Sequence, residues 1–173
     1  IYSYIYDGSD WVLEGSEING QSDYEYFGRT LSANQSGNRV IGSGNTITRA
    51  YEFDGSSWQQ LGSDLNLNHN PLSVSMNSIG NRIFAGFNLD NPGYHGGYVK
   101  VFEYDGIDWV EQANEIVGLN NGDSLGYSVA SNAQGNQFVV GIPGLDQNGT
   151  SSGAVQVYTS NTVACTLPLD ITI

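Results

Sequence analysis

One short motif occurs three times along this chain, and that recurrence limits the fold more than any other feature. Asp7-Gly8-Ser9-Asp10-Trp11 returns as Asp54-Gly55-Ser56-Ser57-Trp58 and as Asp105-Gly106-Ile107-Asp108-Trp109, at intervals of roughly 50 residues. A period of that size implies a supersecondary unit repeated in tandem, each unit burying the apolar face of its neighbour. An aliphatic residue follows each tryptophan at a fixed distance (Ile18, Leu65, Ile116), with an acid just before it (Glu17, Asp64, Glu115). A second marker comes further along each unit: Gly37-Asn38, Gly80-Asn81 and Gly135-Asn136.

Within a unit the pattern reads as short strands. In the third, Tyr98 to Tyr104 alternates and is rich in valine and aromatics, and Asp105-Gly106 is a hairpin signal because that turn needs residues tolerating positive φ. Trp109 to Ile116 reads as the returning strand, Tyr127 to Ser131 as the third, and Gln137 to Val140 as the fourth, after a turn at Gln134-Gly135-Asn136. Ala154 to Tyr158 begins a further unit. No stretch holds a capped 3.6-residue apolar period, so little or no helix is expected. The expectation is an all-β chain of four-stranded antiparallel β-propeller blades, about three tandem repeats at 1–47, 48–97 and 98–153 plus one further strand to 158. Residues 159–173 lack the pattern and read as a C-terminal linker or extension. Propellers close with about 4 to 8 blades, so three imply part of a larger propeller; a compact three-repeat solenoid or prism is the rival. The strand-like opening, Ile1 to Tyr6, reads as a processed chain or a fragment.

Charge narrows the partners. The 173 residues carry 18 acids against 5 lysines and arginines, a formal charge of −13. Such a surface repels phosphate backbones, so neither nucleic acid nor an anionic membrane surface is expected as a partner, while divalent cations and basic partners fit. No apolar run approaches the roughly 18 residues of a membrane span. The single cysteine, Cys165, offers neither a disulfide framework nor a metal cluster and reads as a small buried residue.

From Leu125-Gly126-Tyr127-Ser128-Val129 through Phe138-Val139-Val140-Gly141-Ile142-Pro143 the sequence resembles the FG-GAP repeat of integrin-alpha-type β-propellers, and Phe27-Gly28 with Val40-Ile41-Gly42 is a weaker copy. The interleaved Asp-Gly-x-x-Trp hairpins resemble arrays in large secreted or surface proteins, as in marine bacteria including the Bacteroidota, or in algae. The resemblance spans about residues 1 to 158. It implies an extracellular or cell-surface setting and a role in adhesion or display rather than catalysis. Integrin-type repeats often hold calcium in an acid-rich loop, and calcium needs several hard oxygen ligands. The equivalent turns here, Asn34-Gln35-Ser36-Gly37-Asn38, Asn77-Ser78-Ile79-Gly80-Asn81 and Asn132-Ala133-Gln134-Gly135-Asn136, contain no acid, so that site does not carry over. The remaining candidate for calcium is the loop of Asp146, Asn148 and Thr150, whose oxygens alternate; Leu89-Asp90-Asn91 is a partial counterpart.

The other candidates read mainly as structure. Asp7, Asp54 and Asp105 recur with Gly8, Gly55 and Gly106, as an aspartate does when it bonds its own turn. The turn also resembles the Asp-box of sialidase-like propellers, which has one residue more. A sialidase would want several arginines to clamp a carboxylate, and only Arg29, Arg39, Arg49 and Arg82 exist. Trp11, Trp58 and Trp109 recur in register, which favours packing between repeats over stacking on sugars. His69 and His95 lie in unrelated loops. Asn34 and Asn148 head glycosylation sequons. The functional expectation is a non-catalytic extracellular β-propeller module for adhesion, protein–protein interaction or surface assembly, with no enzyme activity. A glycan-binding propeller lectin is the alternative, and a propeller-type glycoside hydrolase the third reading. The expected partners are a protein or glycan at the cell surface, and further repeats of the same polypeptide or an assembly partner.

Overall fold

A computed structural model of the chain describes residues 1–45, 47–65, 67, 69–88, 96–112 and 115–160. These residues hold fourteen strands and no helix. β1 (Tyr4–Tyr6) and β2 (Trp11–Leu13) form a hairpin. β3 (Thr30–Ala33), β4 (Arg39–Ser43), β5 (Thr48–Phe53) and β6 (Trp58–Gln60) form a sheet in chain order. β7 (Ser73–Met76), β8 (Arg82–Phe87), β9 (Tyr98–Tyr104) and β10 (Trp109–Glu111) repeat that sheet, and β11 (Ile116–Val117) adds to β9. β12 (Ser128–Ser131), β13 (Gln137–Ile142) and β14 (Ala154–Thr159) form the third. Every pairing between these strands is antiparallel.

The sheets do not begin where the sequence repeats begin. Each full sheet takes its first two strands from one repeat and its last two from the next, so the repeat boundaries near 48 and 98 fall in mid-sheet. Periodicity fixes the length of a repeating unit but not its phase, because a strand is flanked by a hairpin on either side and the alternation is the same in both. The strand expected from Trp109 to Ile116 is also divided. β10 ends at Glu111, and Ile116 then returns to pair with Val99 of β9 before the chain leaves for the next sheet. Leu65 does the same against Thr48, and Ile18 against Ile1. The recurring aliphatic residue therefore marks an exit from the sheet.

The sheets stack face to face. Ile83 and Phe87 of β8 join Ile41, Met76, Leu61 and Trp109 on one side, while Phe84 of the same strand joins Val99, Leu125, Phe138 and Val140 on the other. A strand buried on both faces needs apolar residues in succession, and Arg82-Ile-Phe-Ala-Gly-Phe87 supplies them. The first strands of the three sheets, β3, β7 and β12, are neighbours.

Their Gly-Asn turns interlock. The Asn77 side-chain carbonyl accepts the amides of Gly80, Asn81 and Arg82, and Asn34 and Asn132 repeat the pattern in their own turns. Turn then bonds turn: the Gln35 amide donates to Ser78 O at 3.1 Å and the Ser78 amide to Ala133 O at 2.9 Å. Arg39, ion-paired with Glu52, donates to Gly80 O, and Arg82, ion-paired with Glu103, donates to Gly135 O. The result is a hydrogen-bonded seam along one rim. No helix among the described residues is long and apolar enough to cross a membrane, which leaves strand-built barrels unaddressed.

Candidate functional site

Antiparallel strands in chain order put alternate connections on opposite rims: the Asp-Gly and Gly-Asn turns share one, and the loops leading into β3 and β12 share the other with the β13–β14 loop. The tight-turn rim is structural. Asp54 Oδ1 accepts the amides of Ser56 and Ser57, and Asp7 and Asp105 do the same in their turns, at 2.8–2.9 Å. The amide three residues on is the main cause that holds all three carboxyls below the ordinary aspartate range. Gly8, Gly55 and Gly106 supply the positive φ beside them. These residues shape hairpins, as their recurrence implies.

The tryptophans follow the packing expectation only where a covering turn exists. Trp109 is 9% exposed: its indole Nε1 donates to Leu61 O at 2.8 Å, and Asp108 beside it accepts the Ser63 amide. Burial between sheets also claims Trp58, 8% exposed, whose amide donates to Ser16 Oγ. Trp11 departs from the pattern at 66% exposed. Its β1–β2 hairpin has no counterpart of the Leu61–Ser63 turn against it among the described residues, so the same motif lies open.

The long-loop rim holds what the motifs did not reveal. Among the described residues, every non-glycine with positive φ lies there: Tyr24 (58°), Tyr26 (49°), Ser124 (61°) and Ser151 (49°). The loop leading into β3 is built around Glu25. This buried carboxylate accepts the Gln21 and Ser22 amides and pairs with buried Arg49, which reaches Asp64 at 3.0 Å on its other side. Burial opposes the charged form of Glu25. The Gln21 amide, Arg49 and the Ser22 amide outweigh it and leave the carboxyl below its ordinary value. Arg49 likewise stays ionised, because burial is outweighed by Asp64 and Glu25. The loop leading into β12 repeats the frame, with Asp123 accepting the Asn120 amide at 2.9 Å.

The two loops differ in what the frame displays. Where the β12 loop has Gly122 and Ser124, the β3 loop has Tyr24 and Tyr26, 80% and 62% exposed. A bulky residue in the left-handed region costs about 1–3 kcal/mol, and exposed rings recover little of it by burial. Tyr26, Phe27, Gly28, Arg29 and Asn45 line an open hollow of about 540 Å³. Asn45 Nδ2 donates to Tyr24 O, tying the hollow to the tyrosine loop. Lys100 and the other three arginines are ion-paired; exposed Arg29 has no ion pair among the described residues.

Asp146, Asn148 and Thr150 lie on the same rim. Asp146 Oδ1 accepts the Ser151 amide at 2.6 Å and the Asn148 amide donates to Ser152 Oγ, so the loop is closed by its own side chains. The described residues contain no group of three His, Cys, Asp or Glu side chains able to hold a metal. Of the two sequons, Asn148 is exposed, whereas Asn34 is buried with its Nδ2 donating to Ser36 and Asn38. A sugar on Asn34 would displace those bonds. His69 lies 3.0 Å from the Tyr98 hydroxyl. His95, Leu89-Asp90-Asn91, Cys165 and residues 161–173 lie outside the described residues. One sequence signal for the loop frame was available: Glu25 and Asp123 each stand two residues before an aromatic- or aliphatic-glycine pair.

No protein-family model and no curated protein matches the chain. Solved structures do. A 6-phosphogluconolactonase-like protein of Bacteroides uniformis superposes with a TM-score of 0.66 at 10% identity, over 95% of this chain and 45% of its own. Hydrazine synthase of Kuenenia stuttgartiensis gives 0.52 at 12% identity, over 83% and 36%. The likeness is one of fold, and this chain spans less than half the length of either.

Proposed function

We propose that the chain is a non-catalytic β-propeller module of FG-GAP type from a secreted or cell-surface protein, serving assembly or adhesion through protein contacts. The observation that carries the reading is the contrast between hairpins. Trp109 is covered by a neighbouring turn, whereas Tyr4, Tyr6, Trp11 and Leu13 stand exposed together. An apolar face of this kind is one that a further repeat of the same polypeptide or an assembly partner would cover. The stacked four-stranded sheets and the fold likeness to part of larger chains support the propeller reading. The repeated aspartates and Glu25 are spent on holding turns and loops, which supports a binding role over acid–base chemistry. Sedimentation velocity from micromolar to millimolar concentration tests the assembly reading. Wild type is expected to associate, and the Tyr6→Asp/Trp11→Asp variant to stay monomeric. Identical behaviour of the two would remove it.

Glycan binding is the second reading. It is favoured by Tyr24 and Tyr26, displayed beside Arg29 on the long-loop rim.

A further inference from the structure

We infer that Tyr24, Tyr26, Phe27, Arg29 and Asn45 form a binding site for a saccharide that carries isolated carboxylates, such as a chain of uronate residues. The inference deepens the glycan-binding reading and rests on it.

The backbone does not ask for these tyrosines. The β12 loop reaches the same frame with Gly122, which adopts positive φ freely, and with the small Ser124. Packing does not ask for them either, since both rings project into solvent. Residues held in a disfavoured conformation with exposed side chains point to use by a ligand. The buried Glu25–Arg49 pair, with exposed Asp64 on the far side of Arg49, fixes the loop from below, so the rings are displayed on a rigid base. That preorganisation reduces the ordering cost of binding.

The hollow selects the ligand class. Its wall combines aromatic rings and glycine backbone with two polar groups, Arg29 and Asn45. A sugar ring fits this: its C–H face lies on an aromatic ring while its edge accepts and donates hydrogen bonds. Arg29 sits free of ion pairs among the described residues, in a chain of charge −13 where acids outnumber bases, and its guanidinium matches a carboxylate in two-point geometry. The same negative charge opposes a densely charged polyanion, which favours spaced carboxylates over a heavily sulfated chain.

Calorimetry with tetragalacturonate, its methyl-esterified neutral form and an oligoglutamate peptide tests the inference. Tetragalacturonate is expected to bind, and the esterified form to bind about tenfold more weakly, the factor a lost charge-assisted contact carries. Arg29→Gln should weaken the acid form by a similar factor and leave the ester unchanged. Tyr24→Gly and Tyr26→Gly should each weaken binding about tenfold or more while holding or raising the thermal midpoint, because glycine releases the backbone. A fall in midpoint in both variants would show that the rings serve the fold and would overturn the inference. So would tetragalacturonate binding that the tyrosine variants leave intact, or preferential binding of the peptide. A neutral glycan bound independently of Tyr24 would sink this assignment yet keep the glycan reading; silence toward every glycan on an array would end both.

Discussion

The hairpin that opens the chain and the hairpin β9–β10 carry the same motif and different fates. In β9–β10, Tyr104 packs on Trp109 with ring centroids 5.3 Å apart, the Leu61–Ser63 turn closes over Trp109, and the Arg39 guanidinium lies over the Tyr104 ring. In β1–β2, Tyr6 packs on Trp11 at 5.5 Å, and nothing described covers the pair. The hairpin makes its own aromatic pair, but burial is supplied by the neighbouring sheet. A repeated residue thus has a repeated conformation without a repeated energy.

The comparison can be broken by substitution. Trp109→Ala should cost about 3–5 kcal/mol, the range for emptying a buried aromatic site, whereas Trp11→Ala should stay within about 0.5 kcal/mol. Urea midpoints measure both, and equal losses would contradict the exposure difference. Gly62→Ala comes next. Gly62 has φ +75°, and a Cβ there would stand 2.8 Å from Asp108 Oδ1 and 3.0 Å from Trp109 Cδ1. Conformational strain and crowding together predict about 2–4 kcal/mol. Gly8→Ala has open space around it and should show the strain alone. Asp108→Ala should cost less than Trp109→Ala or Gly62→Ala, about 1 kcal/mol through the lost bond to the Ser63 amide. It also carries a pH signature. The Ser63 amide first, and the Trp109 amide second, lower the Asp108 carboxyl from its ordinary 3.8. Its contribution is therefore complete above that value and disappears as pH falls through the lower folded value. Denaturation at a series of pH values should show wild type and Asp108→Ala converging only below about pH 4.

Much of the fold was legible because its signals are local. An Asp-Gly or Gly-Asn pair dictates its turn from within a few residues, and alternation reports a strand without reference to partners. Sheet phase was not legible, since it depends on which of two hairpins closes a sheet. The exposure of Trp11 was not legible for the same reason, the covering residues being distant in sequence. The long-loop site was hidden more deeply. Tyrosine is not a residue that announces positive φ, and Glu25, Arg49 and Asp64 meet from three separate segments without a motif.

The seam of Gly-Asn turns has a consequence for how such a chain diversifies. Gln35, Ser78 and Ala133 join the sheets at one rim through backbone groups, which tolerate changes of side chain but not of spacing. On the opposite rim the contacts between sheets lie at the bases of the loops, as where the Leu125 amide donates to Gly96 O, and the loop lengths vary. The loop after the second strand is already short between β4 and β5 and long between β13 and β14, and lengthening a surface loop costs little entropy. Insertions and new specificities should therefore accumulate at one end of the stack while the other keeps its register, so that a lineage of such repeats would vary in what it binds far faster than in how it is built.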